Sequence, residues 1–137
     1  MRPAFQICLI FLSGILMAGS CKQPVETVSG GGKGGSSTIT VSGEHRGSLI
    51  DTCMIYIKYN SLDAPANAVY DDSATSVLIN GKPTATFSGL TTGNYYLLAV
   101  GYHGGFSPPN VKGGKKCSVF HNGDTASVVI PTYQYSL

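Results

Sequence analysis

His45, His103 and His121 are the three histidines of the chain, and Cys8, Cys21, Cys53 and Cys117 are its four cysteines. These are the side chains best suited to nucleophilic, acid–base or metal chemistry. Their spacing does not assemble any of these. No second Cys or His stands at ligand distance from Cys53 or Cys117, so neither reads as half of a metal site. The serines lack a G-x-S-x-G elbow, and Gly43, Gly47, Gly81 and Gly89 do not form a phosphate cradle between a strand and a helix. Asp71-Asp72, with Asp63 and Asp124, could supply oxygen ligands, but the D-x-D-x-D spacing of a calcium loop is missing and a turn is expected there instead. The histidines are expected in loops or at strand ends, in water. The residues therefore imply no cofactor, no metal and no catalytic set.

Binding is a better fit than catalysis. Tyr56, Tyr59, Tyr70, Tyr96, Tyr102, Phe106, Tyr133 and Tyr135 outnumber what a small core needs, so some rings must be exposed. The loop Tyr102-His103-Gly104-Gly105-Phe106-Ser107-Pro108-Pro109-Asn110 can present rings to a sugar or a peptide. Tyr102, His103 and Phe106 are the candidate binding residues. Nucleic acid is a poor partner: nine basic residues against seven acidic ones leave a formal charge of +2 and no basic stripe.

The elements that must position these residues read as strands. Thr38-Ile39-Thr40-Val41 alternates with period two. In Cys53-Met54-Ile55-Tyr56-Ile57-Lys58-Tyr59 the odd positions share one face. Val77-Leu78-Ile79 and Thr84-Ala85-Thr86-Phe87 flank Asn80-Gly81, a pair suited to a type I′ hairpin turn. Pro83 just beyond it suggests an edge or a late strand start. The segment 94–102 is apolar on both faces and is expected to be a central strand. Segments 116–120 and 125–130 are expected as a final pair joined through His121-Asn122-Gly123-Asp124. No window shows a helical apolar face. The expected fold is an all-β, seven-stranded antiparallel Greek-key sandwich over residues 38–137.

Residues 1–20 read as an export signal. Arg2 gives a short positive start, and Ile7-Cys8-Leu9-Ile10-Phe11-Leu12 with Ile15-Leu16-Met17 is apolar but too short for a comfortable membrane span. The small residues Ala18-Gly19-Ser20 before Cys21 resemble the lipobox of bacterial lipoproteins. That resemblance implies cleavage before Cys21 and acylation of it, palmitate among the acyl groups, and hence a membrane anchor. Lys22 follows, not the Asp that favours inner-membrane retention, so the resemblance implies the outer membrane. Residues 21–37, with Ser29-Gly30-Gly31-Gly32-Lys33-Gly34-Gly35-Ser36-Ser37, read as a flexible spacer reaching roughly 20–24 Å. In an oxidising envelope Cys53 and Cys117 can pair, a disulfide that would contribute about 4 kcal/mol in the chain-entropy model, or stay as separate buried thiols. The disulfide is the preferred expectation.

Phe87-Ser88-Gly89-Leu90-Thr91-Thr92-Gly93-Asn94-Tyr95-Tyr96-Leu97-Leu98-Ala99 has the form of a tyrosine corner. Leu90 plugs the core, Gly93 permits a tight turn, and the Tyr95 hydroxyl is free to bond nearby backbone. With Val41-Ser42-Gly43, this stretch resembles the carboxypeptidase regulatory-like and transthyretin-like (prealbumin-like) sandwiches. The resemblance implies a non-catalytic binding or assembly module, acting on another envelope protein or a glycan. The alternative is an enzyme of the hydroxyisourate hydrolase type within the same superfamily, suggested by His45 beside Arg46. That branch ends in Tyr-Arg-Gly-Ser, whereas this chain ends Tyr133-Gln134-Tyr135-Ser136-Leu137. A third reading is a structural spacer domain without a ligand.

Overall fold

A computed structural model describes residues 27–137; the expected leader and the lipidated Cys21 lie outside the described residues. Ten strands follow in order: β1 (Lys33–His45), β2 (Ser48–Leu49), β3 (Thr52–Tyr59), β4 (Asp72–Thr75), β5 (Val77–Ile79), β6 (Lys82–Leu90), β7 (Gly93–Tyr102), β8 (Asn110–Val119), β9 (Thr125–Pro131) and β10 (Tyr133–Gln134). There is no helix among the described residues. The strands form two five-stranded sheets in a sandwich-like arrangement. One sheet joins β9, β1, β6 and β5, with β2 folded back on the end of β1, and the other runs β10-β8-β7-β3-β4. Neighbours are antiparallel except β1 and β9, which run parallel from Thr38 opposite Thr125 to Glu44 opposite Pro131.

Period-two alternation fills the space between the sheets. Ile39 and Val41 of β1 face Ile55 and Ile57 of β3 and Tyr95, Leu97 and Ala99 of β7 in one buried cluster. Strand β7 lies between β3 and β8, as its two apolar faces require. At Asn80-Gly81 both φ angles are positive, 50° and 75°, as a type I′ turn demands. Pro83 has no N–H to give β1, and the β1–β6 pairing ends at Val41 opposite Ala85. Its carbonyl instead accepts from Ser42 Oγ at 2.7 Å. In the tyrosine corner Leu90 is fully buried, and the Tyr95 hydroxyl donates to the Thr91 carbonyl at 2.6 Å.

Three expectations are corrected. The first is the flexible spacer. Its distal part is built into the domain: Lys33 to Ser37 belong to β1, and Ser37 is fully buried. Thr91 N donates to Gly32 O at 2.9 Å and Asn94 N to Gly30 O at 2.7 Å. Glycine is needed because the backbones touch. A Cβ on Gly93 would collide with the backbone of Gly30 and Gly31, and one on Gly35 with Leu90 and Thr91. Flexibility in the unfolded chain and close approach in the folded one call for the same residue.

The second is the final hairpin. Strands β8 and β9 lie in different sheets, and β9 pairs with β1. The turn His121–Asp124 carries the chain across, closed by Asp124 N to His121 O at 3.2 Å. The crossing buries Val128 and Ile130 against the core and supplies β1 with a second neighbour.

The third is the disulfide. Cys53 and Cys117 are free thiols. Cys53 sits opposite Gly101 and Cys117 opposite Tyr95, on either side of β7. The six positions between Tyr95 and Gly101 separate them by about 20 Å along the strand, far beyond the roughly 7 Å between Cα atoms that a bridge tolerates. Burial pushes the Cys53 thiol up to about 11.

Candidate functional site

Strand β1 carries Ile39, Val41 and then Gly43 on its inward face, and the same alternation delivers His45 to the end of the core. The chain reverses at Arg46 and Gly47, with φ of 49° and 81°, and β2 pairs back on Glu44 and His45. His45 is only 3% exposed, not in water. Its Nδ1 lies 2.8 Å from the Thr132 carbonyl. A carbonyl can only accept, so Nδ1 carries the proton and, in the neutral ring, Nε2 keeps its lone pair. Thr132 is itself held: its N–H and its hydroxyl both donate to Glu44 O, at 2.7 and 2.9 Å.

The candidate loop closes over this histidine. His103 N donates to Pro109 O at 2.8 Å and Phe106 N to His103 O at 3.2 Å, which folds the loop back on itself. The Phe106 ring then packs edge-on against His45 at 4.8 Å and against His103 at 4.6 Å between centroids. The two imidazoles are 5.9 Å apart at a near-perpendicular 83°. The Arg46 guanidinium sits 5.1 Å from the Phe106 centroid and donates to Gln134 Oε1 at 3.4 Å, while Gln134 Nε2 donates to Pro108 O at 2.9 Å. A cleft of about 520 Å³ opens beside them, between Glu44, Arg46, Gly47, Pro131 and Tyr133. His45 Nε2 and His103 Nδ1 are both buried without a hydrogen-bond partner.

The structure thus brings His103 and Phe106 into ring contact and leaves Tyr102 outside, exposed at the rim and stacked near Gly104. His45, Arg46, Tyr133 and Gln134 were not among the expected binding residues. The signal for His45 was present, since extending the alternation of Ile39 and Val41 by four residues reaches it. Gln134 carried no signal, because β10 joins this end only by pairing with Lys112 and Val111.

The other candidates are dispersed. Asp71 accepts from Lys58 Nζ at 3.1 Å and from Tyr59 N at 2.7 Å, and Asp72 pairs with Lys33 at 3.0 Å. These carboxylates fasten β4 and the preceding loop to their neighbours. His121 is exposed and lies 3.3 Å from Asp124. Tyr56 packs on Tyr70 at 5.6 Å on the outer face of the second sheet. No protein-family model, no curated protein and no solved structure matches this chain.

Proposed function

We propose that this chain is a lipid-anchored module of the outer membrane, a transthyretin-like Greek-key sandwich that binds another envelope protein or a glycan and has no catalysis of its own. Seven of its strands are four residues or longer, in keeping with a seven-stranded sandwich carrying three short additions. One observation carries the binding role. Large apolar side chains are exposed toward the His45 end of the strands: Val77 and Leu78 on the edge strand β5, Tyr102 at the end of β7 and Tyr133 on the edge strand β10 are 60, 72, 59 and 71% exposed. That end is the far one from the tether. Lys33 and Ser37 both lie opposite Leu90, so β1 bulges at its start, and the run from Ser37 to His45 puts about 26 Å between that end and the cleft. A chain anchored at Cys21 and welded to the domain from Gly30 onward would therefore hold these rings and the cleft away from the lipid.

Photocrosslinking in cells tests this reading. A crosslinkable phenylalanine analogue replaces Tyr102 or Tyr133 at the far end, or Phe120 at the near end. A discrete protein or polysaccharide adduct from the first two positions and not the third supports the reading. Adducts from Phe120 alone, or from none of the three, sink it.

The convergence of His45, Arg46 and His103 favours a second reading, the hydroxyisourate hydrolase type. It requires a proton-transfer pair open to substrate, whereas Phe106 lies across both imidazoles. Turnover of hydroxyisourate by the purified chain, lost in His103→Ala, would replace the first reading with this one.

A further inference from the structure

His45 Nε2 and His103 Nδ1 are the two buried side-chain atoms without a hydrogen-bond partner among the described residues, and they belong to adjacent rings. An orphaned buried polar atom costs about 1–3 kcal/mol, so two in one cluster call for a missing partner. The tautomer fixed by the Thr132 carbonyl makes His45 Nε2 an acceptor or a ligand. His103 could carry its proton on Nδ1 in the neutral ring, but no hydrogen bond joins that atom to His45 Nε2. A transition ion satisfies both nitrogens at once.

We propose that His45 Nε2 and His103 Nδ1 hold a late first-row transition ion, Zn2+ or Cu2+. Imidazole nitrogen suits these ions and not Mg2+ or Ca2+. At about 2.0–2.1 Å from each nitrogen, a shared ion sets the two ring centres roughly 5–6.5 Å apart, between tetrahedral and linear arrangements. The observed 5.9 Å lies within that window. The His45 Nδ1–H bond to a backbone carbonyl is also the outer contact that metal-ligating histidines use to fix their orientation. Phe106 shields the pair, and Arg46 lies beyond that ring, turned toward Gln134. No group of three or more His, Cys, Asp or Glu side chains gathers here or elsewhere among the described residues, so the remaining positions fall to water. The inference stands apart from the partner-binding reading, since the ion is read from the imidazoles alone.

The test is calorimetric titration of the full chain in detergent with Zn2+ and with Cu2+. It is read beside the imidazole 15N signals during the Zn2+ titration. The expected result is one ion per chain, 15N shifts at His45 Nε2 and His103 Nδ1, and affinity at least about ten-fold weaker in His103→Ala. His121→Ala should bind as the parent does. Three outcomes overturn the proposal: no stoichiometric ion with unmoved 15N signals, which leaves a bridging water as the partner; equal affinity in His103→Ala; or loss in His121→Ala. Should His103→Ala fail to fold, the 15N signals of the parent chain decide alone.

Discussion

The hydroxyl of Tyr95 accepts a hydrogen bond from the backbone N–H of Gly32 at 3.0 Å, across 63 positions of sequence. The same hydroxyl donates to Thr91 O at 2.6 Å. One phenol therefore closes the corner before β7 and clamps the glycine-rich start of the domain to it.

Tyr95→Phe should lower stability by about 1–3 kcal/mol, because the Thr91 carbonyl and the Gly32 N–H lose their shared partner in a part-buried place. Urea unfolding followed by circular dichroism measures this. A loss within error would mean that water replaces the phenol.

Gly93→Ala should cost more, at least about 2 kcal/mol, and act on a segment far away in sequence. Its φ is +148° and the new Cβ meets the backbone of Gly30 and Gly31. The measurable consequence is release of residues 30–35, seen as faster amide exchange there and as new protease cleavage. Unchanged exchange in that stretch would contradict the interlocked arrangement.

Cysteine alkylation should separate the two thiols. Cys53 is buried, with its thiol pushed up to about 11, so it should resist iodoacetamide at pH 8 until the chain unfolds. Cys117 is only partly buried, and burial likewise raises its thiol, so it should label slowly but before Cys53. Peptide mapping without reductant should find no Cys53–Cys117 link.

The Lys33–Asp72 pair joins the start of β1 to β4 at 3.0 Å and gives acid sensitivity with a definite sign. The Lys33 ammonium holds the Asp72 carboxyl below the usual carboxylate range, and Asp72 in turn raises Lys33. A depressed carboxyl stabilises the fold above its unfolded value, near pH 4, and loses that contribution as pH falls through the folded value. The raised lysine contributes fully below about pH 10 and loses its share as pH climbs through the folded value. Both side chains are well exposed, so Asp72→Asn should cost no more than about 1 kcal/mol at pH 7. The difference should fade as pH falls through the lowered folded value of Asp72 and shrink in roughly 1 M salt. A penalty that persists at pH 2 would assign Asp72 a packing role instead, through its contact with the Tyr59 hydroxyl.

Much of the fold was legible along the chain because its rules are local. Alternation assigned the inward faces of β1, β3 and β7, and Asn80-Gly81 announced its turn through the φ angles it tolerates. The Leu90–Gly93–Tyr95 spacing described the corner. Of the candidate site, His103 and Phe106 were legible as a loop pair, while Tyr102 proved peripheral and His45 was read as a surface histidine.

What only the tertiary structure decided was pairing between segments distant in sequence. A run of glycines reads as a flexible linker from composition, and only the backbones of Leu90 and Gly93 make it a tightly packed strand start. Two strands on either side of four turn residues read as a hairpin, and only the open side of β1 draws β9 into the opposite sheet. Two cysteines in strands read as a bridge, and only the register on β7 keeps them apart. The sequence by itself determined which residues face inward, because that depends on neighbours one and two positions away. Which edges meet, and so which rings gather around His45, depends on contacts across more than 50 positions, and those exist only once the two sheets have packed.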